Sequence, residues 1–445
     1  MEEKYCKINK FVYFSFFLFG TGGWLAWNAL IAGLDFFDSR LGSKYDPSFF
    51  FGFIFMWAGF VSNFLVLYLS DKVSLSIRIY VAFSVVIVWT MSSCFITEYL
   101  QIDLAWYILL ISIALNSAAN SFVQTSLIGF ASIFPSYCLN AITFGQGLNG
   151  VLVNCMKMIF LLILPPDESK GKNDMNAYYD SIIYISFSVI LLILWMITYK
   201  LLISSKFTRY YTLKSGIKEN GIIEQKGQIN VYSFGEEIQE VEEDHMIQEL
   251  NVNIPLLNSE GESTANKMSW IDLYKQVFFL VIQWCLVYTI TFLIYPGTLL
   301  ETKFDFLNNN PSAKAWLTLI MIMVYSIGDT LGRFLGGVVK IFGPKTVIFF
   351  TLSRLIFVAT SVLIQLQASP GWLFRSDWFR LLNMFLFSIS NGYNITILLV
   401  YAPQQVDIIN KERVGLLANF HSQCGWCIGA MLAAFGMNNV PKIVN

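Results

Sequence analysis

The chain has 445 residues, of which 56% are hydrophobic, 16% aromatic and only 13% charged. Soluble globular proteins carry about 25% charged residues, so this composition excludes an ordinary soluble domain and points to an all-α polytopic membrane protein lying in a lipid bilayer. The formal net charge of -1 says nothing about nucleic acid, and with no basic patch to suggest it, nucleic acid is not expected as a partner.

A membrane-spanning helix needs about 20 mostly apolar residues. Eleven runs are expected to form transmembrane helices: 11–34, 48–70, 77–97, 104–133, 141–164, 181–203, 270–295, 312–339, 345–367, 378–401 and 413–436. One long polar segment, 204–269, divides them into six and five. It carries the acidic run EEIQEVEED and too few apolar residues for a packed core, so it is expected to be a disordered or partly helical linker. The reading is therefore 1–203 as an N-terminal six-helix bundle, 204–269 as a cytoplasmic linker and 270–445 as a C-terminal five-helix bundle. Placing the N-terminus in the cytoplasm puts most of the 29 Lys and Arg residues on the inner side, as the positive-inside rule requires, and leaves the C-terminus outside.

Polar side chains inside spans mark substrate pathways, because burying them in lipid is costly. The first span contains Trp24, Trp27 and Asn28. The fourth contains Asn116, Asn120, Gln124 and Ser126; the first three of these step by four and form one amide-rich stripe. Two readings of the stripe stand: it bonds neighbouring helices together, for about 0.6 kcal/mol per contact, or it binds a neutral polar ligand. Lys157 lies deep in the fifth span with no carboxylate one turn away. The eighth span holds Asp329 and Arg333 at i, i+4 spacing, one above the other on a helix. A single charge at mid-membrane costs about 2.5–3.5 kcal/mol, so the pair is either a structural lock or a binding site. Arg354, near the start of the ninth span, is expected to snorkel to the membrane surface or to pair structurally. Asn391 sits beside Gly392 in the tenth span, where close packing and ligand contact are equally open.

Cys424 and Cys427 form a C-x-x-C, but an apolar span without a βαβ pattern is the wrong setting for a redox motif. Gly425, Gly429 and Ala433, like Gly332 and Gly336, have the spacing of tightly packed membrane helices. No metal-ligand cluster, cofactor motif, nucleophile–base arrangement or phosphate loop occurs in the spans, so an enzyme is not expected.

Taken together, the pair Trp27-Asn28 followed by LDFFDSRL, the segment 124–150 with GQGL-x-G at 145–150, YPGTLLETKF at 295–304, IGDTLGR at 327–333, SRLIFV at 353–358, SNGY at 390–393 and Ala402-Pro403 resemble the equilibrative nucleoside transporter family. That resemblance implies a major-facilitator-like arrangement of eleven helices and facilitated diffusion of nucleosides, in some cases nucleobases, by alternating access. The plasma membrane is the default location, with an intracellular membrane as the alternative. The resemblance also implies that Asp329 and Arg333 hold the ribose hydroxyls, Gln124 the nucleobase with Ser126 nearby, and that Trp27 forms a wall. Trp24, Ala26 and Lys157 depart from the family pattern. Lys157 leaves open proton-coupled transport on the same fold, and the polar linker leaves open a non-transporting sensor or scaffold.

Overall fold

The computed structural model describes residues 9–41, 45, 47–163, 175–215, 267–295, 313–366, 368 and 371–435, and all regular structure among them is helical. The linker residues 216–266, most of the 295–304 motif and the C-terminal tail from 436 lie outside the described residues.

The first half contains α1 (Lys10–Gly22), α2 (Leu25–Ala32), α3 (Leu34–Leu41), α4 (Pro47–Leu69), α5 (Leu75–Tyr99), α6 (Ile102–Ser132), α7 (Ser136–Ile163), α8 (Met175–Ile203) and α9 (Lys206–Ser215). Asn9 starts α1 by accepting the backbone N–H groups of Phe11 and Val12, at 3.1 and 3.2 Å. The expected first span is broken between α1 and α2, at Gly23–Trp24. The Gln124 side chain lies against Gly23 so closely that a Cβ there would overlap its amide. The opening of the expected linker is the helix α9, which buries Thr208, Thr212 and Ser215.

The second half contains α10 (Trp270–Ile294), α11 (Ala313–Val338), α12 (Val347–Ser353), α13 (Leu355–Gln365), the single turn α14 (Gly371–Phe374), α15 (Asp377–Tyr401) and α16 (Ile408–Phe435). Ser269 caps α10 at Asp272, and a 3-10 turn at Pro403–Gln405 precedes α16. The expected span 345–367 is interrupted at Arg354, where i→i+3 hydrogen bonds (Arg354 N to Thr351 O, Phe357 N to Arg354 O) tighten the helix.

Among the described residues, ten helical segments are long and apolar enough to cross a membrane, α1–α2 and α12–α13 each counting as one. The remaining expected span, 413–436, is α16. It is a continuous 28-residue helix, but Lys411, Glu412, Arg413 and the buried Asn419, His421, Ser422 and Gln423 lower its hydropathy. Large apolar side chains such as Phe53, Phe64, Leu162 and Phe349 are half-exposed or more, the outward face expected of helices in lipid.

Small residues set the closest approaches. Gly332 of α11 meets the backbone of Ile389 and Tyr393, and Gly392 of α15 meets the backbone of Asp329 and Arg333. A methyl group at either position would push α11 and α15 apart. Gly425 and Gly429 seat α16 against Cys285 to Phe292 of α10 in the same way. Across the two halves, α16 packs on α4 and α6, and α7 packs on α11. At the end where α4 meets α5, Asp71 bonds Arg413 (2.6 Å) and Lys267 (3.4 Å), and Arg78 bonds Glu412 (2.8 Å).

Candidate functional site

Asp329 and Arg333 are 6% and 8% exposed and form the expected one-turn pair, Nε to Oδ2 at 2.6 Å. The tight α11–α15 contact at Gly392 brings the neighbouring Asn391 within reach, so its amide nitrogen donates to the other carboxylate oxygen of Asp329 at 2.7 Å and to the Tyr325 hydroxyl at 3.0 Å. Tyr325 is stacked on Tyr295 with ring centroids 4.0 Å apart. Arg333 also crosses between the halves: its NH1 group donates to the Thr143 carbonyl (3.3 Å) and to Gln146 Oε1 (3.0 Å) on α7. Gln146 in turn donates to Gln124 Oε1 on α6 at 3.4 Å. A continuous polar path therefore runs Gln124–Gln146–Arg333–Asp329–Asn391 through the middle of the molecule.

Arg354 extends this path and corrects the snorkelling expectation. It is wholly buried, its guanidinium donating to Val287 O (2.9 Å), Thr291 Oγ1 (2.8 Å), Ser390 Oγ (3.2 Å) and Asn391 Oδ1 (3.1 Å), with the Phe387 ring 5.2 Å away. The side chain turns into the bundle because four acceptors converge there, whereas the membrane surface offers only water and headgroups. Its charge lies one residue, Asn391, away from Asp329.

The other named residues are spread over distinct surroundings. Ser126 accepts from Arg78 NH1 at 3.3 Å, in the charge cluster with Glu412, not beside Gln124. Residues two apart on a helix point away from each other. Asn116 bonds Thr90 of α5 at 3.0 Å, and Asn120 is buried between Asn116 and Gln124. Trp27 stacks on Phe55 within the first half at 3.9 Å. Trp24 instead faces Trp426 of α16 at 4.7 Å, and Trp426 touches Tyr288 and Phe292. Asn28 is half-buried on the next turn of α2. The Lys157 ammonium is 5.9 Å from the Tyr184 ring centroid, within the first half. Cys424 and Cys427 are free thiols, and His421 is held by Leu417 O (2.8 Å) and the Tyr274 hydroxyl (3.1 Å).

A cleft of about 310 Å³ reaches Arg333 between α1, α7 and α11, lined by Tyr13, Tyr137, Asn140, Phe144, Phe334, Gly337 and Val338. Chemically the arrangement suits a neutral, hydroxyl-rich molecule. A carboxylate has about four acceptor positions, so Asp329 retains capacity beyond its bonds to Arg333 and Asn391, and the amides at 124 and 146 supply hydrogen bonds without adding charge.

Gln146, Tyr325 and Thr291 were not singled out from the sequence. Gln146 lies in the GQGL stretch at the centre of α7, a polar side chain within an apolar run. The tyrosine and threonine carry no comparable signal, because both are common in membrane helices.

The Nucleoside transporter family model matches residues 110–436. The chain is 22% identical to the Arabidopsis thaliana equilibrative nucleotide transporter 1, over 96% of this chain and 86% of that protein. It is also 22% identical to the human equilibrative nucleoside transporter 1, over 95% and 96%. Among solved structures it resembles the proton:xylose symporter XylE, with a TM-score of 0.61 at 14% identity over 98% of this chain and 97% of that one. It also resembles the major facilitator superfamily transporter FucP in its outward conformation, with a TM-score of 0.58 at 13% identity over 97% and 92%.

Proposed function

From the premise that this chain belongs to the nucleoside transporter family, we infer that it moves nucleosides across a membrane by alternating access, as a multi-pass integral membrane protein and not as an enzyme. The reading includes eleven spans in a six-plus-five arrangement, with α16 as the last, the N-terminus in the cytoplasm and the plasma membrane as the location. The bundles are 1–203 and 270–445, joined through 204–269.

The observation that carries the site assignment is the buried Asp329–Arg333 pair, which belongs to one half and bonds Gln146 of the other. In this reading Asp329 accepts the paired ribose hydroxyls, Arg333 donates to them, and Gln124 faces the base through Gln146. Rocking of the two halves then breaks and remakes the α7–α11 bonds around a fixed site. Trp24 and Trp27 form aromatic walls on the first-half side, Asn391 holds the Asp329 carboxylate in place, and Arg354 braces α10 against α15. Ser126 is left to the charge cluster at the α4–α5 end.

The test is uptake of labelled uridine and adenosine into proteoliposomes. Uptake should saturate and be competed by unlabelled nucleoside, and Arg333→Ala should abolish it with membrane insertion intact. Normal uptake by that variant removes the pair from the site.

A further inference from the structure

The break in the first span has no structural partner that accounts for it. Trp24 caps α2 without a side-chain hydrogen bond, although the first N–H groups of any helix have no partner within it. Leu25 and Ala26, whose amides begin α2, are 2% and 4% exposed. The Gln124 amide nitrogen lies against Gly23 at this break, is buried, and has no hydrogen-bond partner; its oxygen is already engaged by Gln146.

A second buried amide stands at the same level. Asn149 of α7 is 1% exposed, and neither its nitrogen nor its oxygen has a partner. Its position follows from the packing of α1 on α7. Gly20 lies against Ile142 and the Gln146 backbone, and Gly145 against Phe17, Thr21 and Gly20. The two helices therefore rise together, and one more turn along each sets Asn149 beside Gly23–Trp24. One turn beyond, Val153 shares an apolar cluster with Leu25, Ala29, Trp24 and Trp27, as that register requires. Gln146, three residues before Asn149 on the adjoining face, leads back to Arg333.

Buried amides are almost always hydrogen-bonded in folded proteins, and here the whole Asn149 amide and the nitrogen of Gln124 stand unpaired near one helix start. We infer that Asn149 is a specificity-determining residue which, with Gln124 and the first turn of α2, reads the edge of the nucleobase. The two side chains and the start of α2 present the Gln124 nitrogen, the Asn149 nitrogen and the α2 amides as donors around one side-chain acceptor, the Asn149 oxygen; the last carbonyls of α1 add acceptors at the same break. Its complement is an edge with an N–H between two carbonyl oxygens, as in uracil. An edge centred on a ring nitrogen acceptor beside an exocyclic amine, as in adenine, fits it less well. This inference rests on the nucleoside-transport reading and names the base that the same site favours.

The experiment measures uptake kinetics in proteoliposomes for uridine and for 3-methyluridine, which lacks the N–H but keeps both carbonyls and the ribose. In the wild-type protein methylation should raise KM by about tenfold or more, since a site built to bond a polar group rejects an analogue that lacks it. Asn149→Leu should raise KM for uridine by about tenfold and shrink the difference between the two substrates to about twofold or less, by the same argument. Asn149→Asp, which keeps the shape and loses the donor, stands in if the leucine variant does not reach the membrane, and should also raise KM for uridine. Equal KM values for the two substrates in the wild type, or an unchanged difference between them in Asn149→Leu, overturn the inference while leaving nucleoside transport intact. A wild-type protein that takes up no nucleoside overturns both.

Discussion

Among the described residues, two of the charged clusters that bind helices together are built in opposite ways. The central one joins Asp329 and Arg333 on a single helix, both about nine-tenths buried, with Asn391 and Gln146 completing their hydrogen bonds. The one at the α4–α5 end joins separate halves of the chain: Asp71 to Arg413 and Lys267, and Arg78 to Glu412. It is wetter, with the Asp71 and Lys267 side chains 35% and 46% exposed. A pair within one helix survives any movement of the halves, whereas pairs between halves must break when the halves separate. The first is suited to a fixed binding site and the second to a latch that holds one end closed.

The sharpest way to break this comparison is to remove one member of the central pair. Asp329→Ala or Arg333→Ala leaves a buried charge unpaired, at a cost of about 3–5 kcal/mol, and uptake should fall by at least about 100-fold in Vmax/KM, equivalent to about 2.7 kcal/mol. The doubly neutral variant Asp329→Asn with Arg333→Gln separates strut from site. It should regain thermal stability in detergent but not uptake; recovery of transport would reduce the pair to a lock.

Next in size is Arg354→Met. It leaves Val287 O, Ser390, Thr291 and Asn391 without their buried donor, which should lower stability by about 2–4 kcal/mol, a figure set by unsatisfied buried acceptors. Thermal unfolding should shift clearly, while KM for uridine in the surviving protein stays within about twofold, the effect of a residue acting only through the fold.

The contrast between these two arginines also shows what sequence can carry. Asp329 and Arg333 were legible because helical periodicity alone places i and i+4 side by side, and the length and order of the apolar runs pointed to the helical membrane architecture. Arg354 was not legible. Its depth in the span suits either snorkelling or burial, and the choice depends on Val287, Thr291 and Ser390, which reach it from other helices. Gln146 was missed for the same reason, its partners being 22 and 187 residues away. The family resemblance sets Ser126 near Gln124, whereas two residues of separation on α6 turn its hydroxyl toward Arg78. The break at Gly23–Trp24 left no mark on hydropathy, because both sides of it are apolar.

At the α4–α5 end the effects should be smaller. Arg413→Ala removes two bonds to Asp71 and one to the Met268 carbonyl. Partly exposed pairs contribute about 0.2–1 kcal/mol each, so the balance between closed and open ends should shift by a factor of about 2–5. Spin labels placed on the two halves at that end should report a larger separated population, with KM for uridine little changed. An unaltered distance distribution would mean that the α6–α16 packing, not the ions, holds this end shut.

The smallest effect expected is that of pH on the same latch, and its sign is fixed by Asp71. Burial raises the carboxyl, but the hydrogen bonds and charges of Arg413 and Lys267 outweigh it and hold the pKa below its ordinary value of 3.8. A depressed carboxylate contributes stability that is fully present above the ordinary value and is lost only as pH falls through the lowered one. The spin-label distances should therefore be constant from about pH 5 to pH 8 and loosen only in stronger acid, below the ordinary carboxylate range. Asp71→Asn should show the loosened distribution at neutral pH and lose the acid response. A transition near pH 6 in the wild type would assign the latch to a different titrating group and take Asp71 out of it.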